Sequence, residues 1–430
     1  MLQILLSVQL KCNVMKKVVL SFILLLTFSG FSQQQLSLVD CYQLVDKNYP
    51  LIKQKALLEK QNNIDLEVIT NKTLPQLSID AQATYQSDVT HVAIPNTGVE
   101  PLNKDQYRAT ATLSQLIYNG GLIDASLQAK SVASKTLQKQ VEVNLYQLKK
   151  QVNQLYFSIL LLQEKKALLT AKQEQLMARI KEVKSGITYG TILPASDKVL
   201  EAELIKINQQ FVEIDYNKIS LFDTLSSLLG ENINATSILK NPEIYTNFQG
   251  NISRPELELF QLKKEQVESN EMLISKQNAP KISGFATGGY GYPGLNMLDN
   301  SFKGFYTIGL KLNWNIFDWN SNKKERESLL INTDIINNET EIFNLNTNIE
   351  LRQQESEMKK IESFIASDSE IITLRKEVLQ SAESQLKNGV ITSSAYITEL
   401  TNLFEDENNL KTHNIQLLLV KANYNITKGQ

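Results

Sequence analysis

Residues 306–319 read Tyr306-Thr307-Ile308-Gly309-Leu310-Lys311-Leu312-Asn313-Trp314-Asn315-Ile316-Phe317-Asp318-Trp319 and carry two signals. Apolar Tyr306, Ile308, Leu310, Leu312, Trp314 and Ile316 alternate with Thr307, Gly309, Lys311, Asn313 and Asn315. That period of two predicts a strand with one apolar and one polar face. Behind it no proline follows Pro293 and no glycine falls between Gly309 and Gly389. A very long helix is therefore expected directly after the strand.

Working backwards, the same plan occurs earlier in the chain. Tyr107, Ala109, Ala111 and Leu113 alternate with Arg108, Thr110, Thr112 and Ser114, and the segment closes on Ile117-Tyr118-Asn119. No glycine follows between Gly121 and Gly186, and no proline between Pro101 and Pro194. Ile117-Tyr118-Asn119 maps onto Ile316-Phe317-Asp318, and Gly190 onto Gly389, at one shared offset of 199 residues. Two landmarks at one offset argue for an internal repeat. Pro75 and Pro280 differ by 205, which places six extra residues in or near the second hairpin, where insertions cost little. Ile79, Ala81, Ala83 and Tyr85 alternate with Ser78, Asp80, Gln82 and Thr84 in the first hairpin. The strand after Pro280 is rich in glycine (Gly284, Gly288, Gly289, Gly291) and is placed by the repeat.

The expected organisation is a signal peptide over 1–32, with Met15 as a possible start downstream of Met1, and a first repeat over 33–230. That repeat comprises a helix (37–72), a β-hairpin (76–118), a long helix (121–186) and a return helix (194–230). A linker over 231–253 leads to a second repeat over 254–430. Its parts are a helix (254–277), a hairpin (281–317), a long helix (320–388) and a return helix (393–427). The signal reading rests on Met15-Lys16-Lys17, the apolar run Val18–Phe28 and the small residues before Ser32. Cleavage there leaves Cys41 as the single thiol, without the small residues that precede a lipidated cysteine, so no lipid anchor is expected.

Each clear strand is about ten residues long, the length that crosses a bilayer when tilted. Alternation alone also fits a soluble sandwich. Two features favour the membrane. Tyr118, Trp314, Phe317 and Trp319, including both tryptophans of the chain, cluster where strands finish, as an interfacial girdle requires. Four strands cannot close a barrel, and an open edge in lipid would leave backbone groups unpaired, so several copies must pool their strands.

In the first long helix Val141, Leu145, Leu148, Val152, Leu155, Ile159 and Leu162 follow alternating spacings of 4 and 3. In the second, Met358, Ile365, Ile372, Leu379 and Leu386 recur every seven residues. These are coiled-coil seams on helices of about 100 Å, longer than a compact domain needs. The charged residues between them are mixed in sign and read as solvated faces.

The counts exclude other classes. With 44 basic and 46 acidic residues the formal charge is −2, so no nucleic-acid footprint is indicated. Two histidines and two cysteines cannot build a conventional zinc or iron–sulfur site. There is no phosphate loop, serine elbow or carboxylate pair in an apolar setting, and Glu405-Asp406-Glu407 reads as a solvated helix face. Neither an enzyme nor a cofactor is expected.

The chain resembles the TolC family of outer-membrane efflux proteins over essentially its whole mature length. The residues that carry the likeness are the run Leu38 to Pro50, Leu74-Pro75-Gln76-Leu77, Leu116-Ile117-Tyr118-Asn119-Gly120-Gly121 and Tyr189-Gly190-Thr191 through Pro194-Ala195-Ser196-Asp197. In the second half they are Asn315-Ile316-Phe317-Asp318 and Asn388-Gly389-Val390-Ile391-Thr392. Order, spacing and duplication make the likeness specific, rather than any one string. It implies a mixed α/β membrane protein, mostly α and built from two structural repeats. In a homotrimer each protomer would give four strands to a twelve-stranded β-barrel, continued by a long periplasmic α-helical barrel with residues 231–253 in its equatorial belt. It implies an outer-membrane channel of a Gram-negative bacterium extending into the periplasm, in a tripartite efflux or type I secretion system. Its partners would be a periplasmic adaptor, an inner-membrane pump and outer-membrane lipid.

By position, Gly190, Thr191, Ile192 and Leu193, with Gly389, Val390, Ile391 and Thr392, become adaptor-docking tips. The family's acidic lumen constriction has Asp368, Glu370 and Glu377 as candidates. The competing reading is a periplasmic coiled-coil adaptor or scaffold without a channel, which explains the heptads but not the duplicated strands with aromatic ends.

Overall fold

The computed structural model describes residues 35–90 and 101–430. The signal segment (1–32), Cys12 and His91 lie outside the described residues. In chain order the elements are α1 (Leu38–Asn48), α2 (Ile52–Asn71), β1 (Gln76–Tyr85), β2 (Asp105–Tyr118), α3 (Leu122–Thr188) and α4 (Ser196–Leu229). They continue as α5 (Pro255–Gln277), β3 (Lys281–Tyr292), β4 (Lys303–Asn313), α6 (Ser321–Lys387) and α7 (Ser393–Lys428).

The glycine-free stretches form α3 and α6, each 67 residues long. At 1.5 Å per residue each extends about 100 Å. Their apolar seams are buried where the heptads place them: Val152, Ile159, Leu169, Leu176 and Val183 on α3, and Met358, Ile372, Leu379 and Leu386 on α6. Next to the sheet the helices lie side by side in the order α2–α3–α5–α6, and in the far half as α4–α3–α7–α6. The chain is thus a curtain of helices, with α2 and α6 outermost next to the sheet and α4 and α6 outermost in the far half, where α4 also touches α7.

Two boundaries differ from the sequence expectation. The helix expected over 37–72 is two helices, because Tyr49 is extended (ψ 134°) and α2 starts only at Ile52. The ring of Pro50 disfavours helical geometry in the residue before it. The last strand ends at Asn313 rather than Phe317. Its partner β3 begins at Lys281, opposite Asn313, so nothing remains for residues 314–317 to pair with.

A belt of packing sits where the helices change partners. Leu36 and Leu239 form a parallel bridge across α3, and with Cys41, Val45, Tyr156, Phe222, Leu225 and Ile415 they make one buried cluster. The Tyr156 hydroxyl, fully buried, faces the carbonyls of Leu36 (3.0 Å) and Lys240 (2.5 Å). The Lys428 ammonium donates to Asn247 O (2.5 Å) and Gln249 O (3.1 Å), and Asn425 Nδ2 to Tyr245 O (3.0 Å), tying residues 240–249 to the end of α7.

A candidate membrane-spanning sheet and a pair of helix tips

The four strands form one antiparallel sheet in the order β1–β2–β3–β4. Register decides which side chains share a face. Ile79 lies opposite Ala111, Ala111 opposite Gly288, and Gly288 opposite Tyr306; likewise Leu77, Leu113, Ala286 and Ile308 form one row. Every apolar set of the alternating pattern therefore lands on a single face. That face is open: Ile79, Tyr306, Ile308 and Leu310 keep 74–78% of their surface accessible. A contiguous apolar face of four strands exceeds what a soluble monomer leaves in water.

The opposite face carries Ser78, Asp80 and Gln82, then Arg108, Thr110 and Thr112, Ser283 and Thr287, and Thr307 and Lys311. The hydroxyls of Thr112 and Thr287 meet at 3.0 Å across β2 and β3. Two aromatics share this polar face, each opposite a glycine: Phe285 opposite Gly309 and Phe305 opposite Gly289. A Cβ on Gly289 would lie 2.5 Å from the Phe305 ring, so the glycines leave room for the rings.

Tyr118, Trp314, Phe317 and Trp319 are all exposed at the helical end of the sheet, with Phe317 and Trp319 edge-to-face at 4.8 Å. A second aromatic group, missed in the sequence reading, lies at the far end. Phe302 stacks on Tyr107, Tyr290 and Tyr292 at centroid distances of 6.3, 5.6 and 4.7 Å. The signal was available: Tyr107, Tyr290 and Tyr292 lie at the outer ends of their strands, but pairing Phe302 with them needs the register.

The turn from sheet to helices is held by few atoms. Asp318 accepts from the Asn322 amide (3.0 Å) and from Asn278 Nδ2 (2.6 Å). These donors, the amide first, hold its carboxyl below the usual carboxylate range. Gly120 (φ +65°) fills the corresponding turn of the first half, where a Cβ would lie 2.2 Å from Ala279 Cβ.

At the other end α3 turns into α4 and α6 into α7, and the two turns touch: a Cβ on Gly389 would lie 3.1 Å from the Thr191 carbonyl oxygen. Gly190 (φ +73°) and Gly389 (φ +69°) supply the left-handed residues that reverse the chain. The eight tip residues divide by role. Ile192 and Ile391 pack inward against the lower coiled-coil core, and Thr392 caps α7 by accepting from Ala395 N (3.2 Å). Leu193 and Val390 are exposed at 68% and 71%, and Gly190, Thr191 and Gly389 lie on the surface beside them.

Beside the first tip Glu201 bridges Lys184 (2.7 Å) and Lys198 (2.8 Å), which lower its carboxyl to about 2. Arg179 joins the two hairpins, reaching Glu182 (2.6 Å) and Glu383 (2.8 Å) with its guanidinium 5.1 Å from the Tyr396 ring centroid. The three acidic candidates are not gathered into one site. Asp368 is half-buried against His413 Nδ1 (2.6 Å), whereas Glu370 and Glu377 are exposed along α6.

Among the described residues no helix is long and apolar enough to cross a membrane, and no group of three or more His, Cys, Asp or Glu side chains is placed to hold a metal ion. The geometry is that of a four-stranded antiparallel sheet continued by a helical curtain. No protein-family model matches the chain, and no curated protein matches it in sequence. Solved structures do. The chain is similar to the transmembrane channel CusC, with TM-score 0.69 at 13% identity over 91% of this chain and 92% of that one. It is similar to the outer membrane protein VceC of Vibrio cholerae (TM-score 0.64, 12% identity, 91% and 96% covered). It is also similar to the MtrE outer membrane channel of Neisseria gonorrhoeae in its open state (0.66, 14%, 91% and 89%). The chain has the fold of outer-membrane channels along nearly its whole described length.

Proposed function

We propose that this chain is a TolC-family outer-membrane channel of a Gram-negative bacterium: one third of a trimeric, passive exit duct. It is coupled through a periplasmic adaptor to an inner-membrane pump in a tripartite efflux or type I secretion system. The observation that carries this reading is the sheet, with one exposed apolar face, one polar face, and two open edges at β1 and β4. Lipid satisfies the apolar face, and pairing β4 of one copy with β1 of the next satisfies the edges. Three copies then enclose a polar lumen with twelve strands.

The helices support the same closure. The outer helices of the curtain each expose a heptad-spaced apolar stripe: Leu57, Ile64 and Val68 on α2, and Ile335, Ile342 and Ile349 on α6. In the far half the stripes are Ile205, Val212 and Ile219 on α4 and Phe364, Ile371 and Val378 on α6. Two different edges that complement each other make a head-to-tail contact, which closes into a ring when the rotation per copy is right. In this reading α1 to α4 with their hairpin, and α5 to α7 with theirs, are two copies of one plan. Residues 231–253 form the belt, and the exposed tip residues Gly190, Thr191, Leu193, Gly389 and Val390 meet the adaptor, braced by Ile192, Ile391 and Thr392.

The test is the native mass of the full chain, extracted from the membrane fraction in mild detergent and measured by light scattering with the detergent subtracted. Three chains per particle support the shared barrel. A monodisperse monomer stable in detergent-free buffer overturns it.

A further inference from the structure

We infer that the barrel wall selects for anionic solutes, through a basic ring at its helical end; this rests on the channel reading above. The polar face of the sheet becomes the lumen wall if the apolar face meets lipid, and register places every charged strand residue except Asp105 on it. Within the four strands the polar face carries Arg108, Lys281, Lys303 and Lys311 against a single acid, Asp80. Lys303 is met by Asp299 at 3.5 Å, which offsets its charge. Among the described residues the other three bases have no carboxylate within ion-pair distance; Arg108 instead lies 5.8 Å from the Phe305 ring centroid, on the same face. Asp80 offsets one charge wherever the ring places it. Each chain thus leaves two positive charges in excess on the wall, and three chains leave six.

The excess is concentrated. Lys281 lies opposite Asn313 and Lys311 opposite Ser283, so the two lysines are diagonal neighbours on adjacent strands. Such neighbours are about 7–8 Å apart, within mutual reach of two long side chains. Lys281 directly follows Pro280 at the end of α5, which puts the pair at the level where the helical tunnel opens into the barrel. In a trimer that level carries six ammonium groups around one water-filled mouth. A charged constriction with low-dielectric walls concentrates counter-ions and repels co-ions. The cargo class this wall favours is therefore the carboxylate, sulfate or phosphate ester rather than the organic cation. Binding to lipid headgroups does not account for the pair, because both lysines lie on the face opposite the apolar one.

The test reconstitutes the full-length detergent-purified oligomer in planar bilayers and measures the reversal potential across a KCl gradient. The wild-type pore is expected to prefer chloride over potassium. The double variant Lys281→Gln/Lys311→Gln removes a charge equal to the wall's excess. It should lower the chloride-to-potassium permeability ratio by about sevenfold for each kT of wall potential lost, since one ion gains what the other loses. Arg108→Gln alone, away from the lysine pair, should shift the ratio the same way by less, and serves if the double variant does not assemble. Stepwise currents with cation preference in the wild type, or an unchanged reversal potential in a conducting variant, overturn the anion inference alone. No stepwise current from a particle with the mass of one chain overturns the channel reading beneath it.

Discussion

The head-to-tail ring proposed above can be tested at one residue of an edge stripe. Ile342 lies at the centre of the α6 stripe and keeps 51% of its surface exposed in the single chain. Fully burying an isoleucine side chain contributes about 1.5–3 kcal/mol, so covering the exposed half is worth about 1 kcal/mol per interface. Ile342→Asp removes that and also seals a carboxylate into an apolar seam without a partner, which costs about 2 kcal/mol or more. The loss is then about 3 kcal/mol per interface, and about 9 kcal/mol over the three equivalent contacts of a closed ring, or roughly six decades in the assembly constant. Light scattering of the detergent-solubilised variant at micromolar concentration should report a single chain where the parent reports three. The control is Asn337→Asp, an exposed α6 position off the stripe, which introduces the same charge and should leave three. An Ile342→Asp protein that keeps the parent mass on dilution to nanomolar concentration would refute the seam and the head-to-tail ring drawn from it.

Other consequences follow from the belt and the tips. Tyr156→Phe removes the buried hydroxyl that faces the Leu36 and Lys240 carbonyls and should lower stability by about 1–3 kcal/mol, read as an earlier loss of helical circular dichroism in a denaturant titration. Cys41 is fully buried, and burial pushes its thiol up to about 12, so it stays protonated. It should resist iodoacetamide at pH 8 in the folded protein and react once the belt opens in denaturant; prompt labelling of the native protein would contradict the packing around α1. Glu201 is depressed to about 2 by Lys184 and Lys198, against an ordinary value of 4.5. A depressed carboxyl contributes stability that is complete above the ordinary value and lost as pH falls through the lowered one. The tip bridges should therefore persist at pH 4 and release towards pH 2, seen as a carboxyl titration near 2 by NMR and missing in Glu201→Gln.

How much of this was legible in the chain itself varies with the range of the interaction. Alternation in 306–316, the long intervals without glycine or proline, and the heptads on α3 and α6 are local signals. Each depends on a few residues in succession, and each element appeared where its pattern lay. The misjudged boundaries depend on a partner or a single ring: β4 stops because β3 starts at Lys281, and the first helix breaks at Pro50. Phe302 belongs to no strand, so its place among Tyr107, Tyr290 and Tyr292 could not be read from periodicity. Asp368 was read as a candidate for the lumen constriction, and only the packing of α7 on α6 brings His413 to it.

By itself, then, the sequence determined which segments are helix and strand, and that three of the four strands have one apolar and one polar side, because side-chain direction along a strand or helix follows from backbone geometry alone. The tertiary structure decided which of those sides lie together. Register placed four apolar sets on one face and gathered Lys281 with Lys311 on the other, and side-by-side packing left exposed apolar stripes on opposite edges of the curtain. Those arrangements arise from contacts between residues far apart in the chain, and a shift of one residue in any strand would have turned its side chains to the other face.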